Sequence, residues 1–166
     1  MPHPPTITPG RLLLTLISLF CIIGPLKADF NHTHIHNPAW PPHAKFHNGQ
    51  TMSLGVLLGA LTLYYTWRTP YLTPTFSVAT TVSAAVATRK DSITTAALLG
   101  SLYWVAGVSA IWYPGTAWVD PEFRGQWGGR EDPQKRVFTG LAVGCVVAWG
   151  LERWSLAAWE GRVKRE

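Results

Sequence analysis

A chain of 166 residues amounts to about one domain, and 47% hydrophobic against 14% charged residues is lean in charge for a water-soluble domain, where about a quarter is usual. The net charge of +5 comes from residues scattered between apolar runs, with no basic stripe interleaved with aromatics, which argues against nucleic acid and for Lys and Arg beside lipid head groups. Nine tryptophans, with Trp67, Trp112, Trp154 and Trp159 at the ends of apolar runs, fit the amphipathic belt of a bilayer interface.

Residues 1–10 hold four prolines and read as an extended tail. Arg11 and Lys27 then bracket an almost wholly apolar run, Leu12 to Leu26. A cleaved signal peptide is the alternative, but small residues at a cleavage position are poorly represented and further apolar segments follow. A first membrane helix over about 11–28, with Lys27 snorkelling to the interface, is therefore expected. A polar interval, 29–50, comes next; Pro38, Pro41 and Pro42 rule out a continuous helix through its middle, and a helix can begin near His43.

Met52 to Trp67 anchors a second span, about 51–67, in which Gly55 and Gly59 have the small-xxx-small spacing that lets a neighbouring helix come close. The stretch from Thr69 to Asp91 carries two prolines and then a Ser/Thr-rich segment without Leu or Ile after Leu72. It reads as interfacial, with a short fifth helix at 73–88 as the alternative. Ile93 to Tyr113 gives a third span, stopped by Pro114 and Gly115. After a second polar interval, 114–136, a fourth span covers about 137–155, and an amphipathic basic tail closes the chain.

The expected fold class is all-α: an integral-membrane four-helix bundle forming a single domain over 1–166. Cys21 and Cys145 fall inside apolar runs and read as small buried hydrophobes. Four spans place both termini on one side and both polar intervals on the other. The side of the termini then has eight Lys and Arg (Arg11, Arg68, Arg89, Lys90, Arg153, Arg162, Lys164, Arg165) against six opposite, an excess that points to cytoplasmic termini. Asn31-His32-Thr33 is then a luminal glycosylation sequon, though its closeness to the membrane argues against modification.

The interval 29–50 holds five of the six histidines, one aspartate and three prolines, the densest concentration of proton-transferring side chains in the chain. The candidate catalytic set is Asp29, His34, His43 and His47, closed by Asp120 from the second interval. A carboxylate beside an imidazole at the mouth of an apolar bundle strengthens a base or holds its tautomer. Asn31 and Trp40, with Tyr103 and Trp104 from the third span, are the candidate substrate contacts. His43 and His47, four apart, would share one face of a helix, so a mononuclear metal held by two or three histidines and Asp29 is the alternative to metal-free chemistry. No phosphate-cradling glycine loop, nucleophile elbow, dinucleotide fingerprint or CxxC pair is present.

The pattern Asp29-x-Asn31-x-Thr33-His34-x-x-Asn37-Pro38-x-Trp40-Pro41-Pro42-His43-Ala44-x-Phe46-His47, together with Tyr103-Trp104, Pro114-Gly115 and Asp120-Pro121-Glu122, resembles a family of small, mostly uncharacterised multi-pass membrane proteins of fungi and bacteria. The resemblance implies, for fungal members, a part in secondary metabolism, where small membrane proteins open epoxides or cyclise and isomerise polyketide and terpenoid chains. With the residue chemistry it leads to an expected function: cofactor-free acid/base opening of an epoxide on a lipophilic polyketide or terpenoid, in the endoplasmic reticulum membrane. Here Asp29 orients or acts as base, a histidine activates the nucleophile, and Asp120 or another histidine is the acid. A double-bond isomerase or cyclase on the same substrate class and a non-enzymatic membrane adaptor using the basic tail are the alternatives.

Overall fold

The computed structural model of the chain describes residues 4–68, 78–128, 132–163 and 165. Four helices, α1 (Pro9–Asp29), α2 (Pro42–Trp67), α3 (Val78–Ser109) and α4 (Pro133–Val163), pack in a ring in which each touches its neighbours in sequence and α4 returns to α1. The helices therefore run up and down alternately, with the start of α1, the end of α2, the start of α3 and the end of α4 together and the two polar intervals at the opposite end. Two short 3-10 turns follow α3, Ala110–Trp112 directly after it and Pro121–Trp127 within the second interval.

Local sequence accounts for the helix ends. Thr8 caps α1, its hydroxyl accepting from the Arg11 N–H, and Pro9 follows at the first helical position, where a missing N–H costs nothing. α2 also has a proline, Pro42, at its first helical position, with Pro41 before it and no side-chain cap; it starts nine residues before the expected span, so that His43 and His47 belong to its first turns. Pro25 lies inside α1 and cannot donate to the Cys21 carbonyl. That carbonyl faces Gly55, where an added Cβ would lie 3.0 Å from its oxygen.

α3 is one helix, and its first turns absorb residues 78–88 of the segment read as interfacial or as a fifth helix; the rest of that segment up to 77 lies outside the described residues. Arg89, Lys90 and Asp91 end nothing, because neighbouring elements supply their counter-charges, Glu152, Glu160 and Arg68 respectively. α4 likewise continues to Val163, so most of the basic tail is helical and packed, with Trp159 buried and Trp154 exposed.

Among the described residues three helices are long and apolar enough to cross a membrane: Pro9–Asp29, the segment Ala84–Trp112 and Pro133–Val163. α2, expected as a span, falls short of that hydropathy because its first turns carry His43, Lys45, His47 and Asn48 and its last turns Thr and Tyr. Large aliphatic side chains stand exposed on every helix, among them Leu16 and Ile23, Leu57 and Leu61, Leu98 and Leu102, and Val143 and Val146. Such a continuous apolar girdle suits lipid and not water.

Inside, Leu14, Ile17, Leu58, Ile93, Trp104 and Ala148 form the core with the free, buried Cys21 and Cys145. α1 and α2 meet at Gly59, where a Cβ would fall 2.6 Å from Ile22 Cγ1 and 2.8 Å from the Ser18 carbonyl oxygen, as the small-residue spacing anticipates. At the end bearing the termini, Glu152 is fully buried: Thr8 donates its hydroxyl to Oε2, and Arg89 reaches Oε1 through Nε at 2.8 Å and Nη2 at 2.5 Å. Arg11, also buried, donates to the carbonyls of Thr66 and Thr6 and lies over the Trp67 ring.

These contacts set two expectations for thermal denaturation in detergent. Gly59→Ala forces overpacking of α1 and lowers stability by about 1–3 kcal/mol, whereas Gly49→Ala, with nothing within 4 Å of the new Cβ, gains about 0.5–1 kcal/mol of helix propensity. Glu152→Gln strands the Arg89 charge and costs about 3–5 kcal/mol, and combining Glu152→Leu with Arg89→Met restores most of it.

Candidate functional site

Where the helices approach the two polar intervals they part around a predominantly apolar cavity of about 600 Å³, within the ~300–1,000 Å³ usual for small-molecule sites. Phe20, Gly24 and Pro25 of α1, Leu54 of α2, Tyr103, Trp104 and Gly107 of α3 and Val137 and Phe138 of α4 form its walls, and Thr116, Ala117 and Trp118 border it from the second interval. Asp29 and His34 bring a carboxylate and an imidazole to this lining, with Thr51 and Gln134 as further polar members.

Asp29 is the last residue of α1, one turn beyond Pro25, on the inward stripe that also carries Leu14, Ser18 and Cys21. The Asn48 side-chain amide donates to its Oδ2 at 2.9 Å, and His34 Nε2 stands 3.9 Å from Oδ1. His34 itself is held by a turn that follows α1. Asn31 donates its amide to the Lys27 and Ala28 carbonyls, which fixes the amide orientation and leaves Asn31 Oδ1 as an acceptor. Thr33 gives its hydroxyl proton to that oxygen at 2.7 Å, so the Thr33 oxygen can only accept from His34 Nδ1, 2.6 Å away. The neutral imidazole therefore carries its proton on Nδ1 and keeps the lone pair of Nε2 on the side of Asp29. Trp40 packs edge-on against the same ring at 4.8 Å.

The structure thus brings four of the expected residues, Asp29, His34, Tyr103 and Trp104, to one cavity. Asn31 and Trp40 do not line it; they hold His34. The Asn31 amide, engaged with two carbonyls, is also poorly placed for glycosylation. His43 and His47 are exposed on the first turns of α2, with their Nε2 atoms 3.0 Å apart, and are not part of the lining. Asp120 is exposed where Pro121 begins a 3-10 turn, also away from the lining. The two intervals do meet, through the edge-on contact of His32 with Phe123. Among the described residues no group of three or more His, Cys, Asp and Glu side chains could hold a metal ion.

Three participants escape a reading of the sequence. Asn48 anchors Asp29 and leaves its Oδ1 buried and unpaired; continuing the buried stripe of α2 backwards from Gly59 through Gly55 and Met52 would have reached it. Gly107 keeps room for the Phe138 ring, which a Cβ there would meet at 2.3 Å, and no local pattern marks it. Thr33 figures in the sequence as part of a sequon and of the pattern over residues 29–47, neither of which shows that its single proton orients His34.

No curated protein and no solved structure matches the chain. One family does, and the match runs over residues 13–162, from the first helix to the end of the fourth, taking in every residue of the cavity wall. The chain belongs to that family, DUF6640, a family of unknown function.

Proposed function

We propose that this protein is a tailoring enzyme of secondary metabolism, seated in the endoplasmic reticulum membrane with all four helices, that opens an epoxide on a lipophilic polyketide or terpenoid by acid/base chemistry. The observation that carries the reading is the Asp29–His34 pair on the wall of a predominantly apolar cavity, with the His34 tautomer set by Thr33. A group that removes a proton next to a lipophilic binding space is what this chemistry requires.

The steps follow from the hydrogen bonds. A water spanning the 3.9 Å between His34 Nε2 and Asp29 loses a proton to Nε2 as its oxygen bonds to one epoxide carbon. The imidazolium so formed keeps Nδ1–H on Thr33 and is stabilised by the Asp29 carboxylate, itself steadied by Asn48. The bond between that carbon and the ring oxygen breaks, and the oxygen takes a proton from Tyr103, whose hydroxyl has no partner among the described residues. Transfer of the proton from imidazolium to tyrosinate through water restores the site and leaves a diol. This assigns the acid to Tyr103 in place of Asp120, which stands away from the cavity.

The isomerase or cyclase reading draws on one feature, the aromatic wall of Phe20, Tyr103, Trp104 and Phe138, which suits a developing carbocation. Membranes incubated in heavy-oxygen water separate the two: label in the product establishes hydrolysis, whereas solvent deuterium on product carbon establishes isomerisation. In the hydrolytic assay Asp29→Asn and His34→Gln each reduce turnover by about a hundredfold or more, while His43→Ala, His47→Ala and Asp120→Asn stay within about twofold of wild type. Unimpaired Asp29→Asn protein would remove the assignment. Thr33→Val frees the ring to take either tautomer and lowers turnover by about ten- to a hundredfold with the helical content unchanged.

A further inference from the structure

α1 and α4 run antiparallel, and the seam between them repeats every seven residues, about two helical turns. At its first level a Cβ on Gly10 would lie 2.5 Å from the Ala148 carbonyl oxygen, and at the second a Cβ on Gly144 would lie 3.0 Å from Ile17 Cδ1. The third level sets Gly24 opposite Val137, and there the helices no longer touch. A Cβ on Gly24 would meet the Phe20 ring of its own helix at 3.3 Å and nothing of α4 within 4 Å. Gly24 and Val137 both line the cavity, so the seam opens where the cavity begins. Phe20 marks the gap. It belongs to an exposed stripe of α1 with Leu16 and Ile23, a flank turned to lipid, yet its ring lies 6.0 Å from that of the buried Trp104 of α3. The polar members of the lining, Asp29, His34, Thr51 and Gln134, are by contrast all at the end of the bundle that carries the polar intervals.

We infer that the cavity opens sideways into the bilayer between α1 and α4, and that its ligand is a membrane-dissolved, long-chain amphiphile whose polar end reaches Asp29 and His34 while its chain passes out between Gly24 and Val137. Such a molecule already lies in a leaflet with its polar end at the interface and its chain in hydrocarbon, the same polarity as the cavity wall. Moving its polar end sideways through an apolar gap exposes no apolar surface to water. The inference rests on the reading of the cavity as the substrate site and deepens it by naming the substrate class. A chain that stays in lipid is not limited by the cavity of about 600 Å³, so length is not what the site selects. Phe20 is the side chain the ligand must pass.

The test uses the full chain in phosphatidylcholine nanodiscs doped with a long-chain fatty alcohol that carries a photoreactive diazirine beside its hydroxyl end, and adducts are mapped by peptide mass spectrometry after irradiation. Wild type is expected to be labelled at Asp29 and Tyr103 on the cavity wall as well as at Tyr64, which is exposed on α2 and serves as the control for lipid contact. Val137→Trp, which fills the gap from α4, should lower labelling of Asp29 and Tyr103 by about tenfold or more and leave Tyr64 unchanged. Gly24→Phe fills the gap from α1 and should do the same. With the diazirine moved to the far end of the chain, the wall residues should escape labelling in wild type, because that end remains in lipid. Labelling of Tyr64 without Asp29 and Tyr103, wall labelling that survives both substitutions, or wall labelling by the far-end probe would each overturn the inference. If neither variant folds, the two probes on wild type decide. The probes contain no epoxide, so the expected labelling without epoxide turnover would remove the catalytic reading only, and turnover without that labelling would remove this one only.

Discussion

Glu152 is a carboxylate with no access to solvent in the middle of a long apolar helix, and the placement of the helices at that end follows from the need to pair it. A charge or hydrogen-bonding group left alone in so apolar a setting costs several kcal/mol. Thr8 from the start of α1 and Arg89 from α3 supply the partners, and Arg11 ties α1 to the last turns of α2 through the Thr66 carbonyl and the Trp67 ring. All four helices are thereby joined by polar contacts at the end bearing the termini. Glycine closes the remaining distance: at Gly10 a Cβ would lie 2.5 Å from the Ala148 carbonyl oxygen, so α1 and α4 touch backbone to backbone beside Glu152.

The opposite end is built on other terms. Its polar contacts are mostly local, within the turn from Asn31 to His34, with Asn48 to Asp29 as the hydrogen bond between α1 and α2. With less to draw them together, and with Trp104, Tyr103 and Phe138 as bulky packing, the helices part and leave a cavity there. The same end carries both polar intervals, so an opening into the apolar interior lies beside the side chains able to move protons. A tightly pinned end and a looser, hollow end divide the labour of stability and binding within one bundle.

Much of the bundle was legible in one dimension. Apolar runs bounded by charge and proline located all four helices, and Gly55 and Gly59 marked the α1–α2 contact. Where the reading departs, the cause is a partner distant in sequence. Arg89-Lys90-Asp91 lies ahead of the expected third span and Glu160 beyond the expected fourth, yet Arg89 and Lys90 pair with Glu152 and Glu160 of α4, and Asp91 with Arg68, so both helices run on. The polar start of α2 extends the expected span by nine residues, in line with a helix able to begin near His43: Pro41 and Pro42 break the chain before the helix and then begin it.

At the candidate site, the sequence by itself determined the kinds of group available: a cluster of histidines with Asp29 beside an apolar bundle, and Tyr103 and Trp104 within it. It also determined that Trp104 lies within an apolar run long enough to be a helix, because hydrophobic run length is written along the chain, whereas Asp29, read as the first residue of the polar interval, proves to be the last residue of α1. Which histidine joins the cavity was decided only by the tertiary structure. His34, His43 and His47 are equivalent as residue types, and the turn after α1 carries the first inward while the first turns of α2 leave the other two exposed. The pairing of Asn48 with Asp29 and the solitary N–H of Trp104 belong to the same class of fact. Each depends on the distance between atoms of different helices, and a distance across a bundle has no counterpart in the local pattern of residues.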